Sequence, residues 1–374
     1  AIAVGDVNGD GLNDIVAASV TEHTVRVLLR DASAAPAIAF RSTSLGFAVR
    51  GAYAVRVADV DGDSRADIVV AGSGWPKDEQ QQQFGTFYVF YQQAAADAPL
   101  AFERYTLQTR EFPCAIDIAD FDGDGLLDVL SLSEYDGTLA VHLHAVGADG
   151  RGAPRAFRAP TVLSTDVDGA RDACAVDIDG DGHVDVLAGG WRSPLRMWLN
   201  RGDGITFTLA VVSPVRVWSI VAADFNCDGR VDVAAVPFRG AGALCTQVAS
   251  AAFDCSSMSV SGTSERSITV AADGTQQCAH RAYVVSKRKE SLRVMDHDPA
   301  RSTLVQQRSY HVGRQSSVRV VDVDGDGALD LLMGGDQVKL VLGDGQGSAV
   351  AAIVGEAVGG VIVGTLVLVL VAAL

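Results

Sequence analysis

A nine-residue acidic motif occurs six times in this chain of 374 residues. Each copy has a carboxylate or amide side chain at positions 1, 3 and 5 and a carboxylate at position 9. The copies are Asp6–Asp14, Asp59–Asp67, Asp120–Asp128, Asp177–Asp185, Asp224–Asp232 and Asp322–Asp330. Aspartate and glycine are common in turns, but a turn needs no fourth acid at a fixed offset. Ordinary turn chemistry therefore does not explain six copies of this pattern.

The spacing of these oxygen atoms suits a hard cation. Ca²⁺ takes six to eight oxygen ligands at about 2.3–2.6 Å, and short side chains at alternate positions of a curled loop converge on one point. Glycine at position 6 permits the positive φ that turns the backbone inward. Position 7 varies freely among the copies, as expected of a residue that binds through its backbone carbonyl. Without a cation, the clustered carboxylates would repel one another.

The motif therefore predicts about six Ca²⁺ sites with one common ligand pattern. The predicted side-chain ligands are Asp6, Asn8, Asp10 and Asp14; Asp59, Asp61, Asp63 and Asp67; Asp120, Asp122, Asp124 and Asp128; Asp177, Asp179, Asp181 and Asp185; Asp224, Asn226, Asp228 and Asp232; and Asp322, Asp324, Asp326 and Asp330. The predicted carbonyl ligands at position 7 are Leu12, Arg65, Leu126, His183, Arg230 and Ala328. No copy has the glutamate at position 12 that an EF-hand requires.

Two copies depart from the glycine pattern. Ser64 stands at position 6 of the second copy, and Cys227 stands at position 4 of the fifth. Because glycine tolerates positive φ better than any other residue, we expect these two sites to be the weaker ones.

The formal net charge of −16 has a local explanation. Much of the negative charge lies in the six motifs, and bound divalent ions would return most of it. We therefore interpret the acidity as metal sites rather than as a preference for a partner, and we expect no nucleic-acid partner. Six cysteines suit an oxidising compartment. The predicted pairs are Cys245 with Cys255, Cys227 with Cys278 and Cys114 with Cys174, and buried free thiols are the alternative.

The motifs recur at intervals of roughly 50 residues, which is typical of repeat folds. The last interval is about twice as long, so a seventh, degenerate unit is predicted at Ala272–Thr275, after the strand-like run Ser267–Ala271. An apolar run enters and another leaves each acidic loop, as Ala115–Ala119 and Val129–Leu132 do, which predicts a hairpin. Third strands such as Leu139–His144, and fourth strands after them, complete each unit.

Four antiparallel strands in each of seven units predict an all-β fold, a seven-bladed β-propeller over residues 1–348. The first strand of each unit would be innermost, and all acidic loops would lie on one face. A hydrophobic tail is predicted at residues 349–374.

The acidic loops and the strands that follow them resemble the FG-GAP/VCBS repeats of integrin-α-type seven-bladed propellers. The resemblance covers about residues 1–345, and Gly46–Tyr53 is the nearest approach to the Phe-Gly and Gly-Ala-Pro signatures. It implies one Ca²⁺ per intact loop and a role in extracellular adhesion or ligand display.

Other motifs carry weaker signals. Arg201–Asp203 spells an adhesion tripeptide, although its position between two predicted strands is explained by turn chemistry alone. His142 and His144 alternate along a strand and could bind a transition metal, but no third ligand has matching spacing, which favours a structural role. Trp75 and Trp191 each follow the second strand of a unit, where either sugar stacking or packing between blades would explain them.

The two ends of the chain are different in kind. The chain begins without methionine or a signal peptide, which predicts a trimmed or incomplete chain. Residues 357–374 carry no charge and are long enough to span a bilayer. The tail has three interpretations: a single-pass helix, a signal for a lipid anchor, or an outer strand of the last blade at residues 348–354. We expect membrane attachment through this tail.

No catalytic motif is present in the sequence, so we expect an interaction module rather than an enzyme. The predicted function is a calcium-binding propeller, cell-surface or secreted, that acts in adhesion or interaction through a protein or glycan ligand. The alternatives are a lectin-like carbohydrate-binding propeller and a propeller enzyme that acts on polysaccharide or lipid.

Overall fold

The fold was analysed in a computed structural model of the chain. It describes residues 1–31, 33, 39–73, 85–93, 100–108, 112–146, 152–237, 239–263, 265–270, 281–286, 289–312, 315–335, 338–343, 349–353 and 370–371. Over these residues the regular secondary structure is β-strand, and none of them forms an α-helix.

Among the described residues, the strands form seven antiparallel sheets of four or five strands, each one a blade, and one separate two-stranded sheet. Blade 1 contains β1 (Ile2–Gly5), β2 (Asp14–Ser19), β3 (Thr24–Arg30) and β4 (Phe40–Ser44). Blade 2 contains β5 (Ala52–Ala58), β6 (Asp67–Gly72), β7 (Thr86–Gln92) and β8 (Phe102–Gln108). Blade 3 contains β9 (Pro113–Ala119), β10 (Asp128–Ser133), β11 (Leu139–His142) and β14 (Thr161–Ser164), with the hairpin β12 (His144–Val146) and β13 (Gly152–Phe157) inserted before its last strand.

The remaining blades follow the same order. Blade 4 contains β15 (Ala170–Val176), β16 (Asp185–Gly190), β17 (Pro194–Asn200) and β18 (Phe207–Arg216). Blade 5 contains β19 (Ser219–Ala223), β20 (Asp232–Val236), β21 (Arg239–Ala249) and β22 (Ala252–Thr263). Blade 6 contains β23 (Glu265–Val270), β24 (Arg281–Ser286), β25 (Ser291–Asp298) and β26 (Thr303–His311). Blade 7 contains β27 (Gln315–Val321), β28 (Asp330–Gly335), β29 (Val338–Gly343) and β30 (Ala349–Ile353), to which β31 (Leu370–Val371) is added.

The blades are arranged in a ring around their first strands. Each first strand contacts the first strand of the next blade, and β27 contacts β1, so the ring closes. The predicted all-β, seven-bladed propeller is therefore confirmed. Side chains also join the inner strands: Asp117 accepts hydrogen bonds from Arg56 Nε and from the Ala175 N–H, both at 3.0 Å, and Asp172 accepts one from the Ile220 N–H at 2.8 Å.

Burial explains why the first hairpin of each blade reads as continuous apolar runs. Every residue of β10 is buried, as is every residue of β6 and β16, because these strands lie between neighbouring blades. Strands with both faces covered lose the alternation of apolar and polar residues. Phe121, Leu130 and Trp198 belong to one core cluster that joins blades 3 and 4. The packing between blades thus holds the acidic loops at fixed positions on one face.

Several strand boundaries differ in detail from the predictions. The predicted third strand Leu139–His144 is divided, since β11 ends at His142 and His144 begins the inserted hairpin. The run before the degenerate seventh unit forms β23, as predicted, whereas the unit's turn at Ala272–Thr275 lies outside the described residues.

The described parts of the tail are strands of blade 7. Ala349–Ile353 pairs with β29 as the fourth strand of the blade, where the third interpretation of this segment expects a strand, and Leu370–Val371 pairs with Ala349–Ile353 in turn. Nearly all of residues 357–374 lies outside the described residues, and the domain division at residue 348 stays a prediction. Over the part of the chain that the structure describes, no helix has the length and apolar character to cross a membrane.

One predicted cysteine pair is confirmed and another is wrong. Cys245 and Cys255 occupy opposite positions of β21 and β22 and form a disulfide. Cys227 is disulfide-bonded, and its predicted partner Cys278 lies outside the described residues. Cys114 and Cys174 are free thiols. Cys114 stands six residues before its acidic loop and Cys174 three before its own, so on adjacent inner strands they are offset by about 10 Å, too far for a bridge.

Candidate metal centres

The acidic loops fold through hydrogen bonds to their own first residue; we number them 1, 2, 3, 4, 5 and 7 by blade. In loop 3, Asp120 Oδ1 accepts from the N–H groups of Gly123 and Asp124 at 2.7 and 3.1 Å. Asp120 Oδ2 accepts from the N–H of Gly125 at 2.8 Å. The bond from position 6 to position 1 is present in all six loops. The first acid therefore curls the backbone into the shape that the motif predicts.

The acid at position 9 is a buried anchor as well as a predicted ligand. Asp128 is fully buried, and its Oδ2 accepts from the Phe121 N–H at 2.8 Å. Its Oδ1 accepts from the N–H of His144, beyond the third strand, at 2.7 Å. The position 9 acids of the other loops are buried in the same way: Asp14, Asp67, Asp185, Asp232 and Asp330. Each ties its acidic loop to the hydrogen-bonded framework of its blade.

In four loops, carboxylate oxygens of positions 1, 3 and 9 lie within 4.8 Å of one another. We call these groups the acid triads: Asp59, Asp61 and Asp67; Asp120, Asp122 and Asp128; Asp177, Asp179 and Asp185; and Asp322, Asp324 and Asp330. Loops 1 and 5 have asparagine at position 3, so they bring one carboxylate fewer to the same place. Asn8 Nδ2 donates to Asp10 at 2.9 Å, and Asn226 Nδ2 donates to Asp228 at 3.1 Å.

The acids at position 5 stand apart from the triads. Asp124 Oδ1 accepts from the Leu126 N–H at 2.9 Å, and the equivalent bond between positions 5 and 7 is found in every loop. Ligation by the side chain at position 5 and by the carbonyl at position 7 stays a prediction.

The electrostatics of the acidic loops are those of crowded, poorly solvated acids. Burial raises the pKa of Asp67 and Asp128 to about 7 and that of Asp185 and Asp232 to about 6. Burial, followed by the charge of the neighbouring acid, raises the pKa of Asp122. A divalent cation would favour the ionised form of these groups.

Two buried oxygen atoms test whether the loops fit a cation. Asp122 Oδ1 and Asp179 Oδ1 are inaccessible to solvent, and neither has a well-formed hydrogen bond from the described residues. Both belong to position 3 of an acid triad. A buried oxygen atom without a donor costs free energy, and a hard cation supplies the missing partner. The donor set therefore suits Ca²⁺, with carboxylates from positions 1, 3 and 9 to hold it.

Sequence reasoning missed a role for the side chain at position 7. In loop 5, Arg230 Nε donates to the Gln247 carbonyl at 3.0 Å and its terminal nitrogen donates to Asp228 at 2.6 Å. Arg65 makes the same pair of contacts with Gln92 and Asp63 in loop 2. In these two loops a guanidinium thus compensates the position 5 carboxylate.

Loops 2 and 5 also hold the two residues that replace glycine. Ser64 has φ 68° and Cys227 has φ 63°, so both adopt the left-handed conformation that glycine adopts in the other copies. Because this conformation costs about 1–2 kcal/mol for residues with a Cβ, both loops carry backbone strain. That these two loops bind a cation more weakly stays a prediction.

An aromatic and ionic cluster lies on the opposite face of the disc, at the ends of the first hairpins away from the acidic loops. The Phe112 ring lies 5.8 Å from Tyr53 and 4.9 Å from Tyr135, centroid to centroid. Glu134 forms a two-bond ion pair with Arg171, whose guanidinium lies 4.4 Å over the Trp218 ring. We call these six residues the aromatic arc, which extends over blades 2 to 5.

The weaker sequence candidates have structural explanations where they are described. Asp203 accepts from the N–H groups of Ile205 and Thr206 within its own turn, at 2.8 and 2.6 Å. His142 is buried and bonds to Ser131 at 3.0 Å, and burial lowers its pKa to about 4. His144 is buried and stacks on Phe157.

The two tryptophans differ in what the structure describes. Trp191 lies under the guanidinium of Arg192 at 4.1 Å. Trp75 lies outside the described residues.

Comparison with known proteins agrees with this architecture. A model of the FG-GAP-like repeat matches residues 6–70, 120–188 and 177–235, and a model of the FG-GAP repeat matches residues 51–90. No curated protein matches the chain. The chain belongs to the FG-GAP repeat proteins, and its matched segments contain five of the six acidic loops.

Two solved structures share the fold at low sequence identity. A functionally unknown protein from Desulfotomaculum acetoxidans DSM 771 aligns with a TM-score of 0.54 and 11% identity, over 87% of this chain and 90% of that one. A lectin from Agrocybe aegerita, which recognises non-reducing terminal N-acetylglucosamine, aligns with a TM-score of 0.54 and 16% identity, over 90% of this chain and 85% of the lectin. At these identities the likeness concerns the fold alone.

Proposed function

We propose that this chain is a calcium-binding β-propeller, secreted or at the cell surface, that acts as an adhesion or interaction module. The observation that carries the proposal is the acid triad: its three carboxylates lie within 4.8 Å of one another, and a position 3 oxygen such as Asp122 Oδ1 is inaccessible to solvent and has no well-formed hydrogen bond from the described residues. Ca²⁺ in these loops is structural. Because it binds the folded loop and not the unfolded chain, it stabilises the fold by mass action.

An extracellular location is part of the proposal. The disulfide between Cys245 and Cys255 supports it, since such bonds persist in oxidising compartments. Extracellular calcium is also abundant enough to fill sites of modest affinity. We further propose that the tail, residues 349–374, attaches the propeller to a membrane.

The proposed interaction face is the aromatic arc, opposite the acidic loops. Tyrosine, tryptophan and arginine are enriched among the residues that dominate binding energy at protein interfaces. Tyr135 is 51% exposed at the rim of this cluster. The ion pair between Glu134 and Arg171 holds the cluster rigid, which lowers the entropy cost of binding a ligand. We expect a protein or glycan ligand at this face.

Calorimetric titration with Ca²⁺ and with Mg²⁺ tests the metal part of the proposal. Ca²⁺ accepts the irregular, oxygen-rich geometry of these loops, whereas Mg²⁺ demands near-octahedral coordination and loses its water reluctantly. We expect at least four Ca²⁺ per chain and weaker binding of Mg²⁺. Equal, weak binding of both ions would indicate a diffuse response to surface acids and would contradict the proposal.

A carbohydrate-binding propeller is the second candidate function. Two observations favour it: the lectin among the similar structures, and an arc that combines aromatic rings with a bidentate ion pair. Flat rings that pack against apolar faces, beside a few fixed polar groups, are the usual lining of small-molecule sites.

A glycan array that includes N-acetylglucosamine-terminated chains tests this candidate. We expect binding that Tyr135→Ala weakens at least about tenfold, as for a central aromatic contact. Leu209→Ala is the matched control, because Leu209 is 53% exposed on an outer strand away from the arc. Equal binding by both variants would remove the arc from the proposal, and cleavage of an arrayed glycan would favour a propeller enzyme instead.

A further inference from the structure

Adjacent acidic loops are joined by a side chain at the end of the third strand. The N–H of Gln92 donates to Asp67 Oδ1 in its own loop at 2.8 Å. Its Nε2 crosses to the preceding blade and donates to the carbonyl of Val7 at 2.7 Å. The N–H of Val7 in turn donates to Asp14 Oδ2 at 2.9 Å. One continuous path therefore links the position 9 acids of loops 2 and 1.

The same path recurs at blades 4 and 3. The N–H of Asn200 donates to Asp185 Oδ1 at 2.7 Å, and its Nδ2 donates to the carbonyl of Phe121 at 2.7 Å. The Phe121 N–H is the donor to Asp128 Oδ2 at 2.8 Å. Both loops joined by Asn200 contain an acid triad.

A third path joins blades 5 and 4. The N–H of Gln247 donates to Asp232 Oδ1, and its Nε2 donates to the carbonyl of Ile178, both at 2.8 Å. Ile178 follows the first acid of loop 4, and its N–H donates to Asp185 Oδ2 at 2.9 Å. In all three cases the side-chain amide therefore donates to the carbonyl at position 2 of the preceding loop.

The contact between blades 1 and 7 has an equivalent link with a different side chain. The N–H of Arg30 donates to Asp14 Oδ1 at 2.8 Å, and its guanidinium donates to the Val323 carbonyl at 3.2 Å. Asn13 Nδ2 adds a bond to the Asp322 carbonyl at 2.7 Å. Among the described residues, no sheet contains strands from both ends of the chain, so blades 1 and 7 share no strand pairing. These loop contacts therefore contribute to closing the ring.

The side-chain amides that link neighbouring loops are buried polar groups. Gln92, Asn200 and Gln247 are 7%, 1% and 3% exposed. An apolar side chain would fill the same space without the cost of burying an amide. In a poorly solvated interior the directed hydrogen bond is strong, and its loss leaves a carbonyl unpaired.

We propose that Gln92, Asn200 and Gln247 are positioning residues that couple cation binding in adjacent acidic loops, an inference that rests on the proposed calcium sites. A cation that fixes the position 9 acid of one loop also fixes the N–H bonded to that acid. The amide of the same residue then fixes position 2 of the preceding loop, whose N–H holds the next position 9 acid. The second loop is thereby ordered before its own cation arrives, which gives positive cooperativity.

Hydrogen exchange of the full chain, read by mass spectrometry during a Ca²⁺ titration, resolves the loops one by one. The peptide that contains residues 6–14 reports on loop 1, because the N–H groups of Gly9 and Gly11 donate to Asp6 in the folded loop. Asp61→Ala removes a ligand from loop 2 only. We expect this change to raise the Ca²⁺ midpoint of loop 1 about fivefold, a coupling at the low end of the usual range.

Gln92→Leu should abolish this coupling. In that background, Asp61→Ala should move the loop 1 midpoint by less than about twofold, as for independent sites. Gln93→Leu is the matched control, since the Gln93 side chain donates to the Tyr91 carbonyl of its own blade and should leave the coupling intact. If Gln92→Leu does not fold, the test is repeated at Gln247, which joins loops 5 and 4. Asp179→Ala then removes a ligand from loop 4, the Ca²⁺ midpoint is measured at loop 5 (residues 224–232), and Gln247→Leu should abolish the shift.

The outcomes separate this inference from the proposed function. Calcium-dependent protection of loop 1 that is unchanged by Asp61→Ala overturns the coupling and leaves the calcium sites standing. A fivefold shift that persists in the Gln92→Leu background assigns the coupling to other contacts and overturns the role of the amide. No calcium-dependent protection in any acidic loop overturns both.

Discussion

Replacement of Asp122 by asparagine should stabilise the metal-free protein and reduce the stabilisation that calcium adds. Asp122 belongs to the acid triad of loop 3, and its Oδ2 accepts a hydrogen bond from Arg158 at 3.1 Å. That ion pair is partly exposed and is worth at most about 1 kcal/mol. Asparagine has nearly the same shape as aspartate and keeps one acceptor oxygen. The dominant effect of Asp122→Asn is therefore on the charge that loop 3 presents to a cation.

The magnitude follows from the spacing of the triad. Two unit charges 4.8 Å apart repel by about 3.5 kcal/mol at an effective dielectric constant near 20. Protonation of Asp128, whose pKa is raised to about 7, limits how much of this repulsion the metal-free protein retains. After screening we expect a gain of about 1–3 kcal/mol in EGTA, which raises the Tm by about 1–4 °C for a chain of this length.

In saturating calcium this gain is offset by weaker binding of the cation. Loop 3 loses a charged ligand and keeps an amide oxygen, so its affinity should fall at least about tenfold, or about 1.4 kcal/mol. The Tm difference between calcium and EGTA, measured by calorimetry, should therefore shrink relative to the wild type. Asp168→Asn is the matched control, because Asp168 is exposed on the other face and pairs with Arg192 at 3.9 Å.

The reasoning would be refuted by a parallel shift. If Asp122→Asn changed the Tm by the same amount in calcium and in EGTA, its carboxylate would have no part in cation binding. The same conclusion would follow if Asp168→Asn reduced the calcium effect as much as Asp122→Asn does.

Three further predictions concern backbone strain, the aromatic arc and pH. Gly125 has φ 86°, and a Cβ added there would meet open space, so Gly125→Ala should cost about 1 kcal/mol of folding free energy through the backbone alone. Ser64→Gly should gain up to about 1 kcal/mol for the same reason. Chemical denaturation with Ca²⁺ present measures both changes. Glu134→Gln should lower the free energy of unfolding by about 2–3 kcal/mol, because Arg171 keeps one hydrogen bond but loses its counter-charge. The same denaturation assay measures this change, and a change under about 0.5 kcal/mol would contradict the prediction. In EGTA, the pKa of Asp128 is about 7 in the folded protein, above its unfolded value. Its contribution to stability is therefore present below about pH 4 and is lost as the pH rises through 7. A Tm that does not fall over this pH interval, relative to the calcium-loaded protein, would contradict the assignment.

The sequence predicted the fold because each level of the pattern pointed the same way. Repetition of the acidic motif defined the number of units, and the flanking apolar runs defined the first hairpin of each. Burial on both faces of strands such as β10 is what makes those runs continuous and easy to recognise. The disulfide between Cys245 and Cys255 was predictable because both residues lie in one hairpin.

Contacts between blades were not predictable from spacing. The amides of Asn200 and Gln247 stand among ordinary strand residues, and their partners are the carbonyls of Phe121 and Ile178 in another blade. Backbone carbonyls carry no sequence signal, so no pattern marks these links. The wrong pair of Cys114 with Cys174 has a different cause: both lie on inner strands, but they stand six and three residues before their acidic loops, and this offset separates them along adjacent strands.

The aromatic arc was missed for a related reason. Its members come from blades 2 to 5 and differ in residue type from one blade to the next. Sequence reasoning instead selected Trp75 and Trp191, which follow a repeated turn. The signal that could have found the arc is the position of Phe112, Arg171 and Trp218 near the start of consecutive inner strands, where the side chains meet around the ring.

The central claim, that the acidic loops are structural calcium sites, is tested most directly by thermal unfolding in excess Ca²⁺ and in EGTA, with bound metal counted per chain. Four acid triads loaded at about 100 times Kd would together contribute about 11 kcal/mol, or roughly 10–15 °C in Tm. We expect four to six ions per chain and a shift of this size. Fewer than two ions, or a Tm that chelation leaves unchanged, would contradict the account and reduce the acidic loops to turns.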